Sequence, residues 1–310
     1  MQAIGLKLTK PLNMKYLPNL FISLFAIVLW SCSAEPQKEV KSTKIEYNQE
    51  DQKAKAEKIK KIFFALPSPL ELSALFKSEG VKYEKEALHK TNKRIRYTLP
   101  HEKALNLGVY GADLSYAGLF ARHEDAIEYY TACQLLADEI GMGQTFQQGF
   151  VSRIEKSPNN RDTLLQVISD FFLSNDAHLK EMNRTDISTY VLIGGWLEGM
   201  YLGSNMATKE KQTNGIDEIV VSQKNAITYL HELLTKVEES NELVDQLQQH
   251  LVTIEEAYAN IKTVEVDSID SLNSGMKSLK IDPAANEIGQ DSLLTLISKE
   301  IGQARALIIQ

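Results

Sequence analysis

The stretch Tyr190–Met206 reads YVLIGGWLEGMYLGSNM and is apolar on nearly every side of the helix that it predicts. A helix on a protein surface is apolar along one stripe only, whereas a helix that is apolar all round is expected to be buried. Thr185 and Asp186 precede the stretch and suit the first residues of a helix. We therefore expect a buried central helix here, with the other elements packed around it.

The composition of the whole chain favours a helical fold. With 310 residues, 43% of them apolar and 24% charged, the chain is long enough to bury a sizeable core. Helix-forming residues are abundant, only 8 Pro interrupt them, and we find no competing pattern of alternating strand residues. The sequence predicts an all-α fold over residues 59–310, a single bundle of about eight to ten mostly antiparallel helices.

Several helix ends can be placed from local signals. Ser68, Pro69 and Glu71 have the pattern of a capping box at the start of a helix. Gly80 and Gly141 are suited to end the helices that precede them. The other predicted helices cover residues 100–122, 123–140, 146–156, 161–175, 216–239, 241–262 and 290–309, with a polar loop at 209–215 and an extended connection at 263–282.

Two of the predicted helices carry stripes of small residues. Gly inside a helix costs roughly 0.5–1 kcal/mol relative to Ala, so such stripes call for an offsetting gain. The gain available is a close approach of the backbone, either to another helix or to a ligand. The stripes consist of Gly108, Gly111, Ala112, Ser115 and Gly118 in one helix and of Gly195, Gly199 and Gly203 in the other.

The same two helices each contain a carboxylate that is followed three residues later by Tyr. The pairs are Asp113 with Tyr116 and Glu198 with Tyr201. Glu198 lies among apolar neighbours, where a carboxylate must find partners or take up a proton. Two interpretations stay open: Glu198 satisfies a hydrogen-bond network in the core, or Glu198, Tyr201 and Trp196, with Asp113 and Tyr116, line a pocket for a small polar or cationic ligand.

Motifs of known catalytic and cofactor sites are missing from the sequence. The six His never pair at i and i+4, no HExxH occurs, and Glu86 with His89 gives one isolated ExxH. GxGxxG, GxxxxGK[ST] and GxSxG are also absent. We expect no catalytic residue, no metal and no cofactor. Cys133 lies on the apolar face of a predicted helix and is expected to be a buried thiol.

The charge of the chain bears on its partners. The formal net charge is −7, and residues 1–31 carry three Lys and no Asp or Glu, so their removal would leave −10. Proteins that bind nucleic acid need a basic surface to contact phosphates. The acidic balance therefore argues against nucleic acid as a partner.

The N-terminal region has the organisation of a signal peptide. An apolar run of about eleven residues, Leu20–Trp30, is well short of the ~20 that a membrane-spanning helix needs. The sequence MKYLPN, which begins at Met14, supplies a basic start, so Met14 is an alternative to Met1 as the first residue. An uncleaved signal anchor and an ordinary secretory peptide cut nearby are the alternatives.

The end of that run, Leu29-Trp30-Ser31-Cys32, resembles the lipobox of bacterial lipoprotein precursors. The resemblance implies a type II signal peptide over residues 1–31 and lipid attachment at Cys32, through a diacylglyceryl group and an acyl chain such as palmitate. Two or three such chains anchor a protein stably, whereas one binds reversibly. Residues 32–58 then form the lipidated N-terminus and a polar tether. Ser33 in place of Asp favours the outer membrane over the inner membrane in such lipoproteins.

Beyond the lipobox, the tether and the helices with GADLSYA and GGWLEGMYLG resemble uncharacterised all-helical lipoproteins of Gram-negative envelopes. This resemblance implies a location in the cell envelope and implies no activity. The sequence thus predicts a lipid-anchored, non-enzymatic binding or scaffold protein that contacts the membrane through Cys32 and has a protein partner in the envelope. The alternative is a small-ligand receptor or enzyme with a pocket around Glu198 and Tyr201.

Overall fold

The computed structural model describes residues 66–142, 184–210, 214–238, 241–267, 277–282, 284 and 287–310, with short pieces between 152 and 170. Several predictions lie outside these residues: the signal peptide, the lipidation of Cys32, the tether, and most of the helices expected over 146–156 and 161–175. Among the described residues, the all-α prediction is confirmed, because helices form the bundle and the strands form only one two-stranded sheet.

Two long helices form the centre of the bundle. Helix α2 covers Pro100–Leu119, and every residue from Ala104 onward in it is buried. Helix α4 covers Thr185–Glu210, and its stretch Ile193 to Met200 is also entirely buried. The prediction of a buried central helix is confirmed for α4, and α2 lies directly against it.

Helix α1, Pro69–Ser78, packs on both central helices and begins at the predicted capping box. The Glu71 N–H donates to the Ser68 hydroxyl at 3.2 Å, and the Ser68 N–H donates to the Glu71 carboxylate at 2.6 Å. Gly80 follows the helix with a φ of +88°. This left-handed conformation is accessible to Gly at little cost and stops the helix as predicted.

Helix α3, His123–Glu139, packs against α2 after a tight turn. Helix α2 ends three residues earlier than the predicted Arg122, because Ala121 adopts a positive φ of +55°. The Arg122 N–H then donates to the carbonyl oxygen of Ala117 at 2.9 Å, which closes the turn. Gly141, with a φ of +80°, ends α3 as expected.

The arm predicted as one helix over 216–239 is two helices, and here the prediction was wrong. Helix α5 covers Asn214–Ser222 and helix α6 covers Lys224–Leu234. At the break, the Ser222 hydroxyl donates to the Ile219 carbonyl oxygen at 2.6 Å and the Gln223 amide donates to the Ser222 hydroxyl at 3.0 Å. Side chains that bond to the local backbone in this way compete with the backbone hydrogen bonds of the helix.

The last two helices pack against each other. Helix α7 covers Glu242–Asn260 and starts at Asn241, whose side chain accepts from the Val244 N–H at 3.0 Å. Helix α8 covers Glu287–Ile308 and also contacts α4. Both helices were predicted, with small differences at their ends. Their buried apolar residues include Leu247, Leu251, Ile254 and Tyr258 of α7 and Ile297, Ile301 and Ala304 of α8.

The extended connection predicted over 263–282 contains two paired strands, which the sequence did not predict. Strand β1, Thr263–Asp267, pairs in antiparallel fashion with strand β2, Lys277–Ile281, with Thr263 opposite Ile281 and Asp267 opposite Lys277. Thr263, Val264 and Val266 are β-branched residues that favour a strand. Five residues are too few for their alternation to stand out from a polar connection, and pairing with the second strand decides the outcome.

Between α1 and α2, two short 3-10 turns cover Lys85–Ala87 and Thr91–Arg96. The second 3-10 turn packs on α2 and α3. This segment matters for the site because it supplies backbone groups and a His ring to the centre of the bundle. None of the helices within the described ranges is both long enough and apolar enough to cross a bilayer.

Candidate functional site

Two glycines, Gly108 of α2 and Gly194 of α4, let these helices approach at backbone distance. A Cβ on Gly108 would lie 2.1 Å from the Val191 carbonyl oxygen, and one on Gly194 would lie 2.0 Å from the Leu105 carbonyl oxygen. Real Cβ atoms do not come this close to other atoms. Gly108 and Gly194 therefore serve the packing of α2 against α4, which is one of the two gains that the sequence left open. Gly199 and Gly203 of the α4 stripe instead lie against side chains of α1, Leu72 and Phe76.

Close to this crossing in the core, Glu198 of α4 pairs with Arg305 of α8. The Arg305 Nε donates to Glu198 Oε2 at 2.5 Å and Nη2 donates to Oε1 at 2.8 Å. The Glu198 side chain has no exposed surface, and only 8% of Arg305 is exposed. A bidentate pair of this kind is the strongest form of charge-assisted hydrogen bond between side chains. Both oxygens of the Glu198 carboxylate are thus engaged by Arg305.

Arg305 has further partners on two other elements. Its Nη2 also donates to the Ala87 carbonyl oxygen at 3.1 Å, in the first 3-10 turn. Its guanidinium group lies over the Tyr201 ring, 4.0 Å from the ring centroid, which is a cation–π contact. Arg305 therefore joins α4, α8 and the segment before α2 at one point.

Asp113 of α2 completes the charged cluster. It is fully buried, and its Oδ2 accepts from the His89 N–H at 3.1 Å. Burial raises the pKa of Asp113 well above its ordinary value, and the negative charge of Glu198 raises it further, while Arg305 acts in the opposite direction. A protonated Asp113 can donate a hydrogen bond to Glu198. The cluster then holds one negative charge, on Glu198, opposite the positive charge of Arg305.

The ring of His89 is part of the same buried region. It lies 2.6 Å from the Tyr97 hydroxyl through Nε2 and stacks on Tyr110, with 5.1 Å between ring centroids. Burial and the positive charge of Arg305 lower the pKa of His89 to about 3. His89 is therefore neutral at physiological pH and adds no second positive charge to the cluster.

The structure brings together three of the five residues predicted for a ligand pocket. Asp113, Glu198 and Tyr201 gather around Arg305. The Tyr116 hydroxyl instead bonds to the Lys82 carbonyl oxygen and accepts from the Glu84 N–H at 3.2 Å. The remaining residue, Trp196, is buried and its Nε1 donates to the Gln223 side chain at 3.4 Å.

A second polar group lies on α3 at Asp125. The Tyr83 hydroxyl donates to Asp125 Oδ2 at 2.7 Å and the Lys85 Nζ donates to Oδ1 at 2.6 Å. Burial alone would raise the pKa of Asp125, but these two donors outweigh it and lower the pKa. Next to this group lies a cavity of about 460 Å³, lined by Lys85, Glu86, Leu88, Lys90, Thr91, Asn92, Glu128 and Tyr129.

Arg305 is the residue that sequence reasoning missed. A signal was present, because Arg305 follows Ala304 on a helix whose apolar face includes Ile301 and Ile308. An Arg on an apolar face needs a buried acceptor. The sequence could not indicate which carboxylate this acceptor was. Cys133 is buried as predicted, and burial raises the pKa of its thiol well above the ordinary value.

Within the described part of the chain, no group of three or more His, Cys, Asp or Glu side chains is placed to hold a metal ion. The fold and the site define an all-α helical bundle with a buried carboxylate–arginine cluster. Comparisons with protein-family models, with curated proteins and with solved structures find no match for the chain in any of the three.

Proposed function

We propose that the protein is a lipid-anchored binding or scaffold protein of the bacterial cell envelope, acting through contacts on its helical surface and without enzymatic activity. The lipobox at Leu29–Cys32 supports the anchor, and the polar stretch at 33–58 supports a domain held away from the bilayer. Ser33 supports the outer membrane as the location. These features bear on the location of the protein, whereas the buried site bears on whether it acts as an enzyme.

The single observation that carries the non-enzymatic part is the pairing of Glu198 with Arg305. Both carboxylate oxygens of Glu198 are bonded to the guanidinium group, and the Glu198 side chain has no exposed surface. A ligand at this point would first have to displace a buried ion pair, which is costly. The cluster is therefore suited to hold helices together, and the outer surface of the bundle is left for contacts with partners.

The alternative, a pocket for a small ligand around Glu198 and Tyr201, stays a prediction. It requires Arg305 to leave the carboxylate or to bind the ligand itself. The variant Glu198→Gln separates the two functions. If the variant loses stability and no small molecule protects the wild-type chain against thermal unfolding, the cluster is structural. If a small molecule protects the wild-type chain and does not protect the variant, the result would instead support the pocket.

The anchor is tested on the mature chain purified from membranes. We expect the N-terminal peptide to begin at Cys32 and to carry added diacylglyceryl and acyl mass. The matched control is Cys32→Ala, which should lack this mass and should remain unprocessed. A mature chain that begins at another residue, or a Cys32 peptide without added mass, would contradict the proposal.

A further inference from the structure

We propose that the second 3-10 turn carries a surface that contacts anionic phospholipid, independently of the lipid at Cys32. This Ile95 surface consists of the basic residues Lys90, Lys93 and Arg96 and the apolar residues Ile95, Leu99 and Leu135. The proposal goes beyond the proposed function by adding a contact between the folded bundle and the bilayer. It rests on that function only in so far as the anchor keeps the bundle near the membrane.

The surface is basic on a chain that is acidic overall. Residues 82–96 contain six Lys or Arg and two Glu, a net charge of +4, so the rest of the chain carries −11. Lys85 and Arg94 are paired with carboxylates of α3. Lys90 and Arg96 are exposed, and Lys93 is half-buried. A local basic patch of this kind is drawn to an anionic membrane surface.

Exposed apolar side chains are concentrated at the same place. Five large apolar side chains are exposed among the described residues, and three of them belong to the Ile95 surface: Ile95 at 77%, Leu99 at 48% and Leu135 at 40%. Glu128, Leu135 and Glu139 are seven and four residues apart, so they share one face of α3. Thr91 bonds to Glu128 at 2.5 Å and Arg94 to Glu139 at 2.7 Å, so the turn runs along this face.

The neighbours of Ile95 hold it outward. On one side, Arg94 is fixed by the ion pair with Glu139, to which Lys103 also bonds at 2.9 Å. On the other side, Tyr97 is buried and lies 2.6 Å from His89 Nε2. The chain therefore presents an aliphatic side chain to solvent on a fixed backbone, so little conformational freedom would be lost on binding.

The chemistry of the surface fits a bilayer interface. An aliphatic side chain can enter the boundary between headgroups and acyl chains, while long Lys and Arg side chains reach the phosphates. The sequence predicts a lipid anchor at Cys32 and a polar tether of 26 residues at 33–58, which would keep the bundle near the membrane. Anionic phospholipid is therefore the occupant that we infer.

The test uses the mature acylated chain reconstituted in vesicles, with an environment-sensitive fluorophore on Leu99→Cys. Cys133 is fully buried, so the parent chain without an added Cys serves as the labelling blank. The matched control is Val264→Cys, another exposed aliphatic position that lies on β1. The vesicles contain either phosphatidylcholine alone or phosphatidylcholine with about 30% phosphatidylglycerol.

We expect the Leu99 probe to shift to the blue and to be protected from an aqueous quencher only on vesicles with phosphatidylglycerol, and to lose this protection at about 0.5 M salt. The Val264 probe should stay quenchable throughout. Each of Lys90→Gln, Lys93→Gln and Arg96→Gln should lower the ratio of bound to free probe about fivefold. Ile95→Glu should also lower it, while the helical circular dichroism stays unchanged.

A Leu99 probe that stays quenchable on a chain that floats with the vesicles would overturn the proposal. Equal protection on phosphatidylcholine alone would overturn it too, and so would protection by polyglutamate but not by vesicles, which would indicate an acidic protein partner. If the chain proves not to be acylated, the same probe is read with vesicles added to the chain in solution. The proposal of the lipid anchor and the proposal of the Ile95 surface can therefore be refuted independently of each other.

Discussion

Removal of Glu198 and removal of Arg305 should have unequal effects on stability. Asp113 can replace Glu198 as the negatively charged partner of Arg305, but it cannot replace Arg305. In Glu198→Gln, burial still raises the pKa of Asp113, but the Glu198 charge that raised it further is gone and the Arg305 charge that lowers it remains. Asp113 can then ionise and neutralise Arg305. In Arg305→Met, the two fully buried carboxyl groups of Asp113 and Glu198 remain without the guanidinium group that pairs with Glu198.

The magnitudes follow from the contacts. Loss of one partner of a buried ion pair costs about 3–5 kcal/mol, which we expect for Arg305→Met. Glu198→Gln should cost about 1–2 kcal/mol, the difference between charge-assisted and neutral hydrogen bonds. Asp113→Asn should cost less than about 1 kcal/mol, since Asn resembles the neutral acid. The double variant should again cost about 3–5 kcal/mol, so the coupling between Glu198 and Asp113 is about 2 kcal/mol.

The assay is urea unfolding followed by helical circular dichroism, with the free energy of unfolding extrapolated to water for the four variants and the wild-type chain. The m-value should stay constant across the series, which shows that the folded states are comparable. If the Glu198→Gln and Asp113→Asn costs simply add in the double variant, Asp113 does not take over the charge. If Arg305→Met is as mild as Glu198→Gln, the ion pair does not hold the bundle together.

Three further predictions concern the pH dependence, the helix crossing and a helix cap. Because the pKa of Asp113 is raised in the folded state, this group contributes stability that is full below its unfolded pKa of about 4 and is lost as pH rises toward its folded pKa. In thermal melts, the wild-type chain should therefore gain stability relative to Asp113→Asn as pH falls from 7 to 4. A difference that stays constant with pH would show that Asp113 is not protonated. Gly108→Ala should destabilise the chain by roughly 1–3 kcal/mol or more in urea, since its Cβ would lie 2.1 Å from a backbone oxygen. The control Gly302→Ala, with no atom within 4 Å of its Cβ, should be neutral or stabilising by up to about 1 kcal/mol. Equal effects of the two variants would contradict the role assigned to Gly108 in the helix crossing. Ser68→Ala should cost about 1 kcal/mol in the same assay by removing the acceptor for the Glu71 N–H, and no measurable loss would mean that water replaces the cap.

Among the described residues, local signals predicted most of the helices and several of their ends correctly. The capping box at Ser68 and the stops at Gly80 and Gly141 depend on a few neighbouring residues, and each formed as expected. The end of α2 was placed too late, because a positive φ at Ala121 is not typical of Ala. The break at Gln223 was missed because its cause is a set of side-chain bonds, including one from Trp196 of another helix.

The structure brings together some of the residues that were predicted to line a ligand pocket. Asp113, Glu198 and Tyr201 do gather in the core, but Tyr116 bonds to the segment before α2 instead, and Trp196 contacts the break between α5 and α6. The i to i+3 spacing places each carboxylate near a Tyr on its own helix. It cannot indicate which side of that helix meets α8, and α8 supplies the arginine.

The amino-acid order alone determines that the described part of this chain is helical, that the stretch Ile193–Met200 is buried and that a carboxylate in that helix needs a partner, because these properties follow from periodicity and from the cost of burying charge. Only the tertiary structure decides that the partner is Arg305, 107 residues away. Contacts over such separations depend on how whole helices pack. One such packing contact is visible at Gly108 of α2 and Gly194 of α4, where the two backbones touch.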